Sequence, residues 1–271
     1  ENAGNDVLMS GRLSFWTVSG LCLIVGLVLA LGLYRGATAH GDDEHSNVMA
    51  KFNEGVKAGL ASPRLAIAYG GAFIGRGDFA VVGTFFSLWL TQVGIDQGMS
   101  AADALKQAGL LFAAIQICAL IWAPFMGILT DRLRRITAVA LGLAIAGSGY
   151  VLMSQVSDPF GTGMYPAIVL LGMGETSVIV SVAALLGQES ASPHRGAIVG
   201  VFGLLGGLGI AVTTVLGGQL FDGVGRTAPF LMMGLMNFVL MAAALWVRSS
   251  HAKTETEFRV SSWDNTSTEN N

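Results

Sequence analysis

The chain is 271 residues long, 52% hydrophobic and only 12% charged, with a formal net charge of −3 at pH 7. A soluble domain carries about 25% charged residues, so roughly half of the usual charge is absent. What remains sits in short runs separated by stretches of 19 to 27 nearly uncharged residues. Each stretch can cross a hydrocarbon core of about 30 Å. That excludes an ordinary soluble enzyme, a secreted disulfide module and a nucleic-acid binder, and leaves a polytopic membrane protein.

Taken in chain order, an external segment at 1–12 precedes a first apolar run at 13–34. Ala37-Thr38-Ala39 has the form of a signal-peptide cleavage site. The run is longer than a signal core of about 7–15 residues, and Arg35 follows it instead of preceding it, so 13–34 is expected to stay as a span. The loop 35–64 is the longest and most polar connection. Its His40, Asp42, Asp43, Glu44 and His45 are metal-ligand types, but a long loop holds no fixed geometry for a metal, and a solvated linker is expected. Six further spans follow at 65–91, 108–130, 136–154, 165–187, 197–217 and 228–247. Their apolar runs are continuous, which favours helices over the alternating strands of a barrel. The tail 248–271, rich in Ser, Thr, Asn and Glu, is expected to be disordered. Cys22 and Cys118 both fall within spans, where packing is their expected role, and nothing in the sequence calls for a cofactor.

Lysine and arginine give the orientation. The segments 35–64, 131–135, 188–196 and the tail hold eleven of them, against three (Arg12, Lys106 and Arg226) in the alternate set. The positive-inside rule puts the richer set in the cytoplasm, the N-terminus outside and the C-terminus inside.

Between the third and fourth spans stands Gly127-Ile-Leu-Thr-Asp131-Arg132-Leu-Arg134-Arg135. This run resembles the signature loop of the major facilitator superfamily, G-x-L-x-D-R-x-G-R-[RK]. It matches at Gly127, Leu129, Asp131, Arg132 and Arg135, and departs at Arg134 and Ile136, as the degenerate second copy in that family does. Gly203, Gly206, Gly207 and Gly209, then Gly217-Gly218, are similar to a glycine-rich helix late in such transporters. The resemblance implies family helices 6 to 12. Segment 13–34 becomes the last helix of an N-terminal half, 35–64 the linker between halves, and 65–247 a C-terminal six-helix bundle. It implies, too, that an N-terminal five-helix portion lies upstream, which the missing initial Met would suit. In the loop, Asp131 can face a helix N-terminus or pair with an arginine, a contact that breaks when the halves rock. For Gly203 and Gly207, as for Gly71 and Gly75, close helix packing is the expected role.

Three ionisable residues lie within the spans: Arg76, Asp78 and Glu175. Charge in a bilayer core is costly and normally meets a cavity or a partner. Arg76 and Glu175 each lie about 15 Å from a span end at 1.5 Å per residue, so an Arg76–Glu175 pair, or a substrate between them, is reasonable. Asp78 is rotated by about 200° from Arg76 and belongs to the other helix face. Either of the two can be the one that faces a cavity; if it is Arg76, then Tyr69 and Phe73 line the cavity with it, and Gln116 is a further candidate. A desolvated Glu175 or Asp78 suits proton binding.

These residues point to a secondary active transporter of a small organic solute, coupled to a proton or another ion and working by alternating access in the bilayer of the cell (inner) membrane. The alternative is a stand-alone seven-helix receptor or sensor. The spans contain no histidine and no paired acids on one helix, which argues against an intramembrane enzyme.

Overall fold

The computed structural model describes residues 16–17, 19–28, 48–190 and 194–268, with backbone alone for 251–268. The external segment 1–12, most of the span 13–34, Ala37–Ala39 and the His40–His45 cluster lie outside the described residues. The chain divides into a unit at 1–46 and a unit at 47–271. In the first, α1 (Ser19–Val28) is a short apolar helix.

The second unit is all helix among its described residues. It consists of α2 (Val48–Ala61), α3 (Pro63–Asp96), α4 (Ala101–Arg132), α5 (Arg135–Ser154), α6 (Met164–Glu189), α7 (Arg195–Gly223) and α8 (Ala228–Thr268). Six of these, α3 to α8, are long and apolar enough to cross a membrane, α8 over its first part Ala228–Ser250. Each of the six contains one of the apolar runs read from the sequence.

Two stretches differ from expectation. Half of the linker is not coil: α2 lays its small residues on its neighbours, Gly55 against Ala197 and Val201 of α7 and Gly59 against the Tyr69 ring of α3. The tail is not left without structure either, since α8 continues as helix to Thr268. Its Ser and Thr residues disfavour helix only weakly, and a helix already formed upstream spares the cost of nucleation.

Local chemistry sets the helix starts. Ser62 caps α3, its hydroxyl accepting the Leu65 N–H at 3.3 Å, with Pro63 in the first turn where its missing N–H costs nothing. Ser100 caps α4 in the same way, accepting the Asp103 N–H at 3.1 Å. Inside α3 the helix widens into a π turn at Val82–Phe86, one turn beyond Asp78, where the Val82 N–H is shared between the Asp78 and Phe79 carbonyls. Such turns often mark functional positions in helices.

Helix α5 is the hub, packed on α6 and α8, while α3 lies against α6, α7 and α8 and α4 against α6. The most apolar window of α5 is 61% buried and that of α4 only 11%, so α4 presents most of its surface outward. Contacts also sort the connections into two ends. Arg64 meets Glu189 at 3.7 Å and His194 meets Glu54 at 3.2 Å, whereas Arg226 donates to Asp96 at 2.7 Å. Glu54 of α2 and Arg64 at the start of α3, with Glu189 at the end of α6 and His194 just before α7, therefore share one end of the bundle.

Candidate functional site

Asp78 on α3 is 1% exposed and points into the bundle. Asn237 on α8 meets it there: its side-chain N–H groups donate to both carboxylate oxygens, at 3.0 and 3.2 Å, and to the Met233 carbonyl at 3.0 Å. Tyr150 on α5, wholly buried, neighbours both Asp78 and Glu175 of α6. Four helices thus bring four polar side chains to one buried place. The set is not satisfied internally, because Tyr150 Oη, Glu175 Oε1 and Asn237 Oδ1 have no hydrogen-bond partner. Buried polar atoms are nearly always paired, so three in one cluster set this place apart from the apolar core around it.

Arg76, two residues before Asp78, is exposed on the opposite side of α3. Its stem runs across α7 at Gly206, where a Cβ would lie 2.9 Å from Arg76 Cγ. The expected Arg76–Glu175 pair is not formed: Glu175 is 5% exposed and turned toward Tyr150, while Arg76 leaves the bundle through the other face of α3. Depth along the helices matched the two residues, but helix rotation separates them.

The glycines of α7 divide by face. Gly209 packs directly on the Phe73 carbonyl, and Gly217 on the Phe85 ring, where an added Cβ would lie 2.5 Å from a ring carbon. Gly203 and Gly207, expected to pack, have open space around the Cβ position, because the 3.6-residue period turns them away from α3. Gly71 and Gly75 do pack, against Val182 and Val178 of α6.

Of the suggested lining residues, Tyr69 lies where α2, α3 and α7 meet. It is 8% exposed, and its hydroxyl donates to the Gly55 carbonyl of α2 at 2.9 Å. It closes an apolar groove of about 310 Å³ among α2, α3 and α7, with Phe52, Leu60, Leu204 and Leu208. Its role here is to tie α2 to the bundle. Phe73 is half-buried against the core and Gln116 half-buried on α4.

In the signature loop, only Leu133 and Arg134 separate the two helices. Asp131 pairs with Arg135 one turn on, at 2.9 Å, and the same Arg135 nitrogen donates to the Thr130 carbonyl at 2.6 Å. Asp131 and Arg132 are exposed, and Gly127 has open space about it. The arginine covers a carbonyl that the end of α4 leaves unpaired, while the acid holds the arginine there.

Tyr150 was not singled out from the sequence, although a tyrosine within an apolar run needs a partner for its hydroxyl, a signal that was present. Asn237 is the one polar side chain within the apolar run 228–247, a signal of the same kind. Trp122 and Ser177, which join α4 to α6 by an indole N–H donated at 2.8 Å, were missed too. Chemically, the cluster can hold small cations or protons, and the outward Arg76 can bind an anion or a carboxylate.

Comparison with known proteins agrees with this architecture. The family model described as Major Facilitator Superfamily matches residues 68–265, nearly all of α3 to α8. Magnetosome protein MamZ of Paramagnetospirillum magneticum is 31% identical over 69% of this chain and 29% of its own length. Magnetosome protein MamH of the same organism is 29% identical over 71% of the chain and 45% of its own length. The human synaptic vesicular amine transporter is 30% identical over 52% of the chain and 27% of its length. The chain therefore spans less than half the length of these relatives. With a family model covering nearly all of α3 to α8 and a signature loop at its expected turn, the chain belongs to the major facilitator superfamily.

Proposed function

We propose that α3 to α8 form the C-terminal half of a secondary active transporter that moves a small organic solute by alternating access, with proton coupling. In this reading, segment 13–34 is the last helix of the N-terminal half and 35–64 joins the halves. A further five-helix portion completes the central cavity. The exposed face of α3 and α7, with Arg76, Gly203 and Gly207, is the side that meets the other half and the substrate. The Asp131–Arg135 pair belongs to the gating loop. The N-terminus lies outside and the C-terminus in the cytoplasm of the cell membrane. The magnetosome named in two relatives makes an internal bacterial membrane the second reading of location.

The observation that supports this best is the contrast of charges within the spans. Two carboxyls, Asp78 and Glu175, are buried together with no basic side chain beside them among the described residues, and Arg76, the one basic residue within the six apolar runs of α3 to α8, faces outward. A group that takes up a proton and a group that takes up a solute, on the two faces of one helix, are what coupled exchange between two access states needs.

The test is transport by the chain joined to the coding sequence upstream of Glu1, reconstituted in vesicles with a pH gradient. Glu175→Gln should abolish accumulation driven by the gradient yet leave downhill flux, and Arg76→Ala should weaken substrate binding. Gradient-driven accumulation that survives Glu175→Gln would sink the proton-coupled reading.

A further inference from the structure

On the open side of α3 and α7 a lone charge borders a hydrocarbon groove. Arg76 lies about 20 Å along α3 from Pro63 at 1.5 Å per residue, far from either end of that 34-residue helix. It is exposed, and among the described residues it has neither a hydrogen bond nor an ion pair. A charge at such depth normally meets a cavity or a partner. Its stem crosses α7 at Gly206, where an added Cβ would stand 2.9 Å from Arg76 Cγ. Leu204 and Leu208, on either side of that crossing in the sequence of α7, both line the groove of about 310 Å³. From there the groove passes Tyr69, two turns before Arg76 on α3, and reaches Phe52 and Leu60 of α2. No charged residue lines it, and α7 carries none between Arg195 and Asp222.

A site of this make-up has a definite complement. Ligand pockets start at about 300 Å³ and are mostly apolar, with a few polar groups that fix orientation. A guanidinium receives a carboxylate through two parallel N–H bonds. The matching molecule therefore carries one carboxylate at one end and an apolar body behind it. An amine of the same shape would meet Arg76 with like charge, and a small hydrophilic anion would leave the groove unfilled. A phospholipid is excluded by direction. Its charged headgroup sits at the membrane surface with the chains inward, whereas here the charge lies deep and the groove leads to α2, at the end of the bundle where Arg64 meets Glu189. The occupant is a solute.

We propose that the face of α3 and α7 binds an amphipathic monocarboxylate, its carboxylate on Arg76 and its apolar body in the groove between Tyr69, Leu204 and Leu208. This rests on the reading of that face as the substrate side and adds the class of substrate to it.

The experiment is equilibrium binding of radiolabelled octanoate to the chain joined to its upstream coding sequence, in lipid nanodiscs at constant pH, read against empty nanodiscs. The wild type should bind octanoate saturably. Octanamide and octylamine, equal in length, should compete more weakly by about tenfold or more, the worth of a charge-assisted hydrogen bond. From butanoate to octanoate, affinity should rise about fourfold for each methylene that the groove buries. Arg76→Gln, which keeps the length of the side chain without its charge, should remove the preference for octanoate over octanamide. Leu208→Asn should reduce the gain per methylene while keeping that preference. The ligand series on the wild type decides even if a variant fails to fold. Octylamine or octanamide binding as tightly as octanoate would overturn the proposal, as would affinity indifferent to chain length, or an Arg76→Gln titration that superimposes on the wild type. A wild type that binds none of these also overturns it, and assigns Arg76 to an acid elsewhere in the protein. No gradient is involved, so this result and the transport result are separate: gradient-driven uptake of another solute without octanoate binding refutes the substrate class and keeps the transporter.

Discussion

Helix α3 carries two ionisable residues two positions apart, and the structure treats them in opposite ways. Asp78 is enclosed by α5, α6 and α8, where a bundle of six helices has given it an amide donor and two further polar neighbours. Arg76 lies over Gly206 on a face that the described residues of the second unit leave open. Helix α7 repeats the contrast in glycine, with Gly209 pressed on the Phe73 carbonyl and Gly207 facing empty space. The inner face is fixed by contacts within the chain, so substitutions there are read in stability. The outer face has little to lose in stability, so whatever constrains it must be read in binding or transport.

The largest difference should come from α7. Gly209→Val places a side chain where the Phe73 backbone already sits and, since a backbone carbonyl cannot yield as a flexible side chain does, should cost about 3 kcal/mol, the upper end of overpacking effects. Gly207→Val should change stability by less than about 0.5 kcal/mol. Thermal unfolding of both variants in the same detergent measures the gap. Equal losses would mean that the outer face is packed after all.

Next is the polar cluster against the outward cation. Asn237→Leu removes both donors from Asp78 and leaves a buried acceptor unpaired, at about 2 kcal/mol. Arg76→Ala, with no ion pair to lose, should stay within about 0.5 kcal/mol. If Arg76→Ala were the more damaging of the two, the division of α3 into a structural and a functional face would be wrong.

How much of this was legible in the sequence follows the same line. The six helices could be read because apolar run length is a property of each segment alone, and the opposed faces of Arg76 and Asp78 followed from helix period. Which helix each face meets is a tertiary fact. Thus Glu175 was matched to Arg76 by depth, when rotation had turned it to Tyr150, and the bond from the Tyr69 hydroxyl to the Gly55 carbonyl of α2 is legible in neither helix alone. The helix within the linker was missed for a different reason. Its 14 residues include Lys51, Asn53, Glu54 and Lys57, enough to pass for loop, and its buried positions are Gly55 and Gly59, which leave no apolar stripe to read. The signature loop was the most readable part, because its chemistry is contained in nine consecutive residues.

A smaller effect tests whether α2 belongs to the inner or the outer regime. Tyr69→Phe deletes one buried hydrogen bond to the Gly55 carbonyl and keeps the ring that fills the space at Gly59. The loss should be about 1 kcal/mol, concentrated in α2 and seen as faster proteolysis between Val48 and Ser62 with little change in the melting of the bundle. Global destabilisation instead would make α2 part of the folding core.

The smallest effect is expected at the signature loop, where the pair is exposed. Asp131→Asn leaves Arg135 free to keep its bond to the Thr130 carbonyl, and exposed pairs one helical turn apart contribute about 0.3–0.5 kcal/mol. Melting should barely move. The acid nonetheless stands between two helices at a connection of two residues, and its partner bridges the end of α4 to the start of α5. If the pair biases one access state, Asp131→Asn should change the rate of solute exchange in the restored transporter several-fold at nearly constant stability, and Arg135→Lys, which keeps the charge but not the forked geometry, should fall in between. A variant that transports at the wild-type rate would leave the pair as a simple helix-end contact, and the outer regime would then begin at Arg76 rather than at the loop.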